Sequence, residues 1–300
     1  MDVRHLDLLR ELADRGSLAA VAQATHRTPS ALSQQLRTAE RAFGAALVEP
    51  HGRGLRLTEA GALLARGGAD VATAVARVTA AWEDYRGGPR GTVSVAALPS
   101  AATFLLPRLQ RRLAGTGLEL RCRDYDLAET DFAGLTADND LVIGHSVTAR
   151  RPAGTAGLTV TPLVTEPLDV ALAEDHPLAT RPWLHCRDLV DQSWIGVPPG
   201  YPFDSVLTSV EQATGATLDV RQRLRDNRLV EALVASSRHV AMLPRFTTPA
   251  GQGLVLRELR GVRAQRHVVA IARPDRAARL AARTVLDGLV AVAAEVAAGG

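Results

Sequence analysis

SLAAVAQATHRTPSALSQQLRTAE, residues Ser17–Glu40, reads as two short helices joined by a tight turn. Gly16 can end a preceding helix in the left-handed conformation, and the Ser17 hydroxyl can cap the next by accepting from a free helical N–H. Ala20, Val21 and Ala24 give that helix a small apolar face. A turn follows at Thr25-His26-Arg27. Thr28 and Pro29 then restart the chain: threonine is a preferred cap, and proline in the first turn has no N–H to leave unpaired. The second helix divides by its helical period. Leu32, Leu36, Ala39 and Phe43 fall on one face, and Ser30, Ser33, Gln34, Arg37 and Arg41 on the other. The polar face holds hydroxyl, amide and guanidinium groups and no carboxylate, a set suited to base edges and phosphate oxygens. Such a helix set into the major groove is the helix-turn-helix geometry. The competing reading is an ordinary solvated face.

The charge distribution favours DNA. The chain of 300 residues has a formal net charge of only +3. Between Arg15 and Leu57, however, six arginines stand against two acids, Glu40 and Glu49, so that stretch carries +4 and the remainder −1. Positive charge gathered beside the polar helix is the footprint of a polyanionic partner. The sequence contains no lysine, so every basic side-chain contact falls to arginine or histidine, and arginine favours bidentate recognition.

Working outward, Leu6, Leu9, Leu12 and Ala13 recur at helical spacing and predict a first helix over Val3–Arg15. Residues 47–57, LVEPHGRGLRL, read as a short hairpin with Gly52-Arg53-Gly54 at its tip. Arg53, together with Arg56, is placed to meet a phosphate. The hairpin makes the module a winged helix-turn-helix.

These residues resemble the DNA-binding domain of the LysR-type transcriptional regulators. The matching segments are RHLDLLRELADRGSLAAVAQ, TPSALSQQLRTAE, FGAALVE and GRGLRLTEAG, in the family's order. In that family the positions matching Thr28, Ser30, Ser33, Gln34 and Arg37 face the DNA, and the one matching Arg53 is a wing residue near the backbone. Pro50 departs from a usual basic residue, and Ala39 from a more common leucine.

From Thr58 the pattern changes to a long helix, capped by Thr58, running to about Arg86 and ended by Gly87-Gly88-Pro89. It is on the order of 40 Å long. Leu64, Gly68, Val71, Val75, Val78, Trp82 and Tyr85 follow the alternating spacing of a coiled-coil seam. A second copy of the chain would bury that seam; the alternative is packing on the chain's own second domain. The resemblance implies dimerisation through this helix, hence two DNA half-sites.

The segment from Arg90 to Gly300 alternates strand-like and helix-like stretches, which predicts an α/β domain. Strands are expected at 92–97, 118–123, 140–144, 167–173, 193–197, 217–223, 239–243 and 267–272. Helices are expected at 100–113, with Ser100 as cap, at 204–214 and 227–235, and from Asp275. Two Rossmann-like lobes, joined by crossovers near 161–164 and 265–268, would leave a cleft between them for a small ligand. The expected organisation is a winged helix-turn-helix over 1–58, a linker helix over 59–89 and an effector-binding domain over 90–300. Its first lobe would comprise 90–162 and 267–300, and its second 163–266. ALPSAATFLLPRL, EPLDVALAEDHPLA and LVEALVASSRHVAMLPR resemble the periplasmic-binding-protein-like effector domain of the same family. Ser237 and His239 stand where the family usually has glycines.

Candidate effector contacts are Ser100 and Asn227 at helix starts, His145 at a strand end, and Tyr201 after Pro198-Pro199-Gly200. Simple capping competes for Ser100 and Asn227, a loop position for His145, and packing for Tyr201. Helix N-termini favour an anion, so a carboxylate-bearing effector is expected.

Enzyme signatures are missing from the sequence: there is no GxSxG, no Walker A, no HExxH and no GxGxxG. Cys122 and Cys186 are the only cysteines and show no zinc spacing, so neither a metal nor a resident cofactor is expected. MDVRHLDLLRELADRG lacks the layout of a signal peptide, and there is no apolar run of about 18 residues. A cytoplasmic location, away from membranes, is the expectation. The sequence thus points to a transcriptional regulator of double-stranded DNA modulated by a small-molecule effector. As further expectations, the resemblance implies homodimers, tetramers, DNA bending and contact with RNA polymerase. The second reading is a small-molecule-binding protein whose N-terminal module contacts protein instead of DNA.

Overall fold

A computed structural model describes residues 2–52, 54–125, 131–249 and 251–299. Two compact units are present: Met1–Pro89 with Arg273–Arg283, and Arg90–Ala272 with Thr284–Gly300.

The first unit opens with α1 (Val3–Arg15), α2 (Leu18–Thr25) and α3 (Pro29–Phe43). Each boundary has a local cause. Asp2 caps α1 by accepting from the Arg4 N–H, and Gly16 ends it at φ 70°. Ser17 accepts from Ala20 N–H at 3.1 Å and Thr28 from Ala31 N–H at 3.3 Å. The hairpin β1 (Val48–His51) and β2 (Gly54–Leu57) pairs antiparallel, Val48 opposite Leu57. Leu9, Leu12, Val21, Leu32, Leu36, Ala39 and Leu47 form the core beneath. The long helix α4 (Glu59–Tyr85) starts at Thr58, whose hydroxyl accepts from Gly61 N–H at 3.1 Å.

Two glycines seat α4. A Cβ at Gly61 would lie 2.0 Å from the Leu47 carbonyl oxygen, and one at Gly68 would lie 2.9 Å from that of Leu6. Gly68 therefore packs on α1 of its own chain, not in the intermolecular seam that its spacing suggested. Leu64 likewise packs against the core. Val75, Val78, Trp82 and Tyr85, further along the seam, are exposed.

Helix α1 also carries an ion-pair network within this unit. Arg273 reaches Glu11 at 3.1 Å and Asp14 at 2.9 Å, while Arg10 meets Asp275 at 2.6 Å.

In the second unit, β3 (Gly91–Ala97) lies parallel to β4 (Leu118–Asp124) and β5 (Leu141–Ser146), with α5 (Pro99–Arg112) between the first two in sequence. Asp140, just before β5, accepts from both the N–H and the hydroxyl of Ser94, so this acid is structural. Then β6 (Thr159–Ala173) runs unbroken for 15 residues. The short β7 (Trp183–His185) and β8 (Ser193–Gly196) follow, then α6 (Asp204–Thr214), β9 (Asp219–Arg223), α7 (Asn227–Ala235) and β10 (Val240–Pro244). β11 (Leu254–Arg260) and β12 (Gln265–Ala272) complete a sheet of order β4-β3-β5-β12-β6-β10-β8-β9, with β11 pairing β6 and β7. The chain ends in α8 (Pro274–Ala278) and α9 (Leu280–Gly299).

The lobes are two halves of this sheet sharing β6. Up to Pro167, β6 pairs with β12; from Leu168 onward it pairs with β10 and β11. The return crossover closes where Leu168 N–H donates to Ala264 O at 3.0 Å. Both crossings thus lie at 166–168 and 264–266, the first later than the expected 161–164. The second lobe's core is built around Trp194, which is fully buried and donates its indole N–H to Leu189 O at 3.3 Å.

Candidate functional site

Two sites arise, one in each unit. On α3, Leu32, Leu36 and Ala39 are buried, which turns Ser30, Gln34 and Arg37 to solvent with Ser33 half-buried. Among the described residues no carboxylate pairs with Arg37 or Arg41; Arg41 reaches only the Arg37 carbonyl and the Thr38 hydroxyl. The Thr28 hydroxyl accepts from the helix and lies 3.2 Å from that of Ser30. Arg53 lies outside the described residues. Arg56 is engaged in an exposed ion pair with Glu49 across the hairpin, so it is not the open phosphate donor that the sequence suggested.

In the second unit a cavity of about 370 Å³ lies between the lobes. All four sequence-derived candidates line it: Ser100, His145, Tyr201 and Asn227. Their local roles differ from those expected. The cap of α5 is Leu98, which makes no side-chain cap, so Ser100 lies one residue inside the helix and its hydroxyl does not cap it. The cap of α7 is Asp226, accepting from Leu229 N–H at 3.0 Å, which releases Asn227 from that task. His145 is not in a loop: it belongs to β5 and is buried. The Tyr201 ring has the Arg225 guanidinium 5.1 Å from its centroid.

The group that organises the cavity is Arg266, which the sequence reading missed. It opens β12 opposite Glu166 of β6, and both side chains are fully buried. Its Nε donates to Glu166 Oε2 at 2.7 Å, and its Nη1 to Ser100 Oγ at 2.7 Å. Nη2 lies 2.6 Å from the same Glu166 oxygen but off the N–H axis, and has no hydrogen-bond partner. Glu166 Oε1 accepts from Phe246 N–H at 2.7 Å, and the Thr247 hydroxyl donates to Ser100 O at 2.7 Å. One ion pair thus ties α5 of the first lobe to the 246–247 turn of the second.

His145 Nδ1 lies 3.4 Å from Arg266 Nη1. Burial, and then the Arg266 charge, hold the imidazole pKa well below its ordinary value. The ring is therefore neutral near pH 7, with Nδ1 as acceptor. It meets Phe132 and Phe203 edge to face, with centroids 5.9 Å apart in both pairs. Arg266 lies 5.7 Å from the Phe203 centroid. A usable signal was in the sequence: Glu166 and Arg266 each stand one residue before an expected strand, where charge is rarely buried unless paired.

A winged helix with an acid-free recognition face, followed by a two-lobed domain around a lined cavity, defines a DNA-binding regulator of the ligand-responsive class. The family profile described as bacterial regulatory helix-turn-helix protein, lysR family, matches residues 3–62, and that of the LysR substrate binding domain matches residues 86–294. The chain belongs to the LysR family of DNA-binding transcriptional regulators, with a C-terminal effector-binding domain.

A probable RuBisCO transcriptional regulator of Cyanophora paradoxa is 27% identical over 217 residues, covering 71% of this chain and 66% of that protein. A hydrogen peroxide-inducible genes activator of Pectobacterium carotovorum is 26% identical over 251 residues, 83% of this chain and 82% of that one. A full-length OxyR variant from Pseudomonas aeruginosa shares the fold, with TM-score 0.61, 18% identity and 97% of each chain covered. Nothing in these matches supports the reading of the N-terminal module as a protein-contact domain.

Proposed function

We propose that the protein acts as a homodimer on a pseudo-palindromic operator, its DNA affinity set by a small molecule held between the lobes of the second unit. Ser30, Ser33, Gln34 and Arg37 read base edges; Thr28 and Arg53 hold phosphates. Ser100, His145, Tyr201 and Asn227, with Arg266 behind them, receive the effector. The observation that carries this reading is the convergence of all four effector candidates on one cavity whose Arg266–Glu166 pair bonds to both lobes. A ligand that prefers one lobe arrangement shifts the population of that arrangement.

Dimerisation rests on Val75, Val78, Trp82 and Tyr85, which leave an apolar stripe uncovered along α4. Among the described residues no helix is long and apolar enough to cross a membrane; a DNA-binding role places the protein in the cytoplasm. Catalysis is not part of this reading, nor is peroxide sensing by a reactive thiolate, although one relative is named for peroxide. Burial pushes the Cys186 thiol up, away from the reactive form.

The experiment is a salt titration of binding to the DNA upstream of the gene, with and without candidate metabolites. Selective binding that falls steeply with salt, and that a metabolite shifts, supports the proposal. Binding equal to random DNA at every salt concentration overturns it.

A further inference from the structure

We infer that the ion-pair cluster of Arg273 with Glu11 and Asp14 is an intrasubunit clasp through which the state of the effector cavity reaches the DNA-binding module. This rests on the reading of that cavity as the effector site and goes further by naming the joint.

Helix α1 has two faces. Leu8, Leu9 and Leu12 enter the core of the first unit. Asp7, Arg10, Glu11 and Asp14 follow one another at spacings of three, one and three, so they share a second, charged stripe. Reading bases asks nothing of that stripe, because the base-facing residues are on α3. It is covered nonetheless. Arg10 and Glu11 keep only 17% of their side-chain surface, and Arg273 keeps 6%. Besides its two contacts with α1, Arg273 Nε lies 3.4 Å from Asp275 Oδ1. Arg10 bridges Asp275 and Asp7, the latter at 3.5 Å, and Arg15 closes the set on Glu11 at 2.9 Å.

Helix α8 buries no residue of its own, so charge rather than an apolar core holds this segment to α1. Desolvation offsets much of what such pairs gain. The joint is therefore of small net free energy and can open without unfolding what it joins. Burial keeps the Asp14 carboxyl above its usual range although Arg273 stands beside it, a sign of that near balance.

The cavity end lies on the same strand. Arg266, which holds Ser100 and Glu166, stands seven residues before Arg273. That separation is about 23 Å along an extended strand. β12 is hydrogen-bonded on both sides, to β5 and to β6, so it shifts as a unit between the two arginines. At Ala272–Arg273 the chain passes from the second unit to the first. A rearrangement of the lobes that moves β12 acts on Arg273 directly, and the clasp either follows or opens. Either response changes the free energy of the module, which is what coupling requires.

Coupling is reciprocal, so DNA can stand in for the unidentified effector. The test is hydrogen exchange on the full chain, with the upstream DNA and with random DNA, in wild type, Arg273→Gln, Glu11→Gln and Arg273→Lys. In wild type the upstream DNA should change exchange by at least about twofold over α1–α3 and also at the start of α5 and the 246–248 turn. Those last two places are the ones that the Arg266–Glu166 pair touches. Arg273→Gln and Glu11→Gln should hold DNA affinity within about threefold and confine the change to the module. Arg273→Lys, which retains the charge, should keep the distant change. A merely structural role would instead lower DNA affinity and speed exchange of α1–α3 in the free variants while the distant change survives; that result overturns the inference. Distant changes that persist in both neutral variants overturn it as well. A wild-type response that stops at the module overturns the clasp and leaves DNA binding intact. Wild-type binding equal to random DNA overturns the regulator reading and the clasp together.

Discussion

Glu166 and Arg266 are register partners on β6 and β12, and neither side chain of the pair has any exposed surface. A hundred residues separate them in sequence, and they meet where the chain passes between lobes. Because the pair also holds Phe246 N–H and Ser100 Oγ, removing one member strands several groups at once. Arg266→Met is expected to cost about 3–5 kcal/mol, the usual consequence of leaving a buried charge unpaired. Adding Glu166→Gln should recover much of that loss, since an amide oxygen can still accept from Phe246. Urea unfolding followed by tryptophan fluorescence checks both; a single variant as stable as wild type would show that the pair contributes nothing.

The same surroundings make the second unit acid-sensitive. Burial and then Arg266 depress the His145 pKa in the folded chain. Burial first, and nearby arginines next, likewise lower His176 and His267. The unfolded chain therefore binds more protons below about pH 6.5. This contribution is complete above that value and is lost as pH falls from there toward the depressed folded values. His145→Gln keeps an acceptor for Arg266 and removes one titrating group. It should flatten the fall in unfolding free energy between pH 7 and 5 by up to about 1.4 kcal/mol per pH unit. Equal slopes in variant and wild type would mean that His145 takes up its proton as readily in the folded chain as in the unfolded one.

The first unit was largely legible in the sequence because its signals are local. Ser17, Thr28 and Thr58 each precede their helices by one residue, and each makes the cap that its type favours. The cavity was legible only in part. Ser100 and Asn227 stand at helix starts and both line the cavity, yet the caps are Leu98 and Asp226, so neither residue has the capping role its position suggests. Arg266 was missed because its role comes from sheet register, which brings together residues 100 apart. Strand β11 was missed because LVLRELR at Leu254–Arg260 alternates only loosely and takes its place by pairing with β6 and β7.

Exposed Arg37 and the wing arginines should separate in a salt series. Arg37→Ala is expected to reduce discrimination against a single wrong base pair by about 1–3 kcal/mol. Arg53→Ala should weaken binding to all sequences and lower the log–log salt slope by about 0.9. Arg56→Ala should change that slope less, because Glu49 already neutralises Arg56 across the hairpin. Fluorescence anisotropy on operator and scrambled DNA from about 50 to 200 mM salt distinguishes the three. Uniform loss in all of them would refute the division of labour.

The seam of α4 divides into two parts that should fail in different ways. Gly68 lies against α1, where a Cβ would sit 2.9 Å from the Leu6 carbonyl oxygen. Backbone cannot yield as a flexible side chain can, so Gly68→Ala should destabilise the first unit by about 1–3 kcal/mol. Val78, by contrast, is 73% exposed, and Trp82 and Tyr85 stack on one another with centroids 5.6 Å apart, both still in solvent. Val78→Asp touches nothing in its own chain's core, so helicity and the thermal midpoint of the monomer should hold. What should change is assembly: a carboxylate in an apolar seam is unpaired and desolvated in the dimer alone. Sedimentation should then report monomer at concentrations where wild type is dimeric, and affinity for a two-half-site operator should fall toward that for a single half-site. Retention of the dimer by Val78→Asp would place the subunit contact elsewhere than on α4.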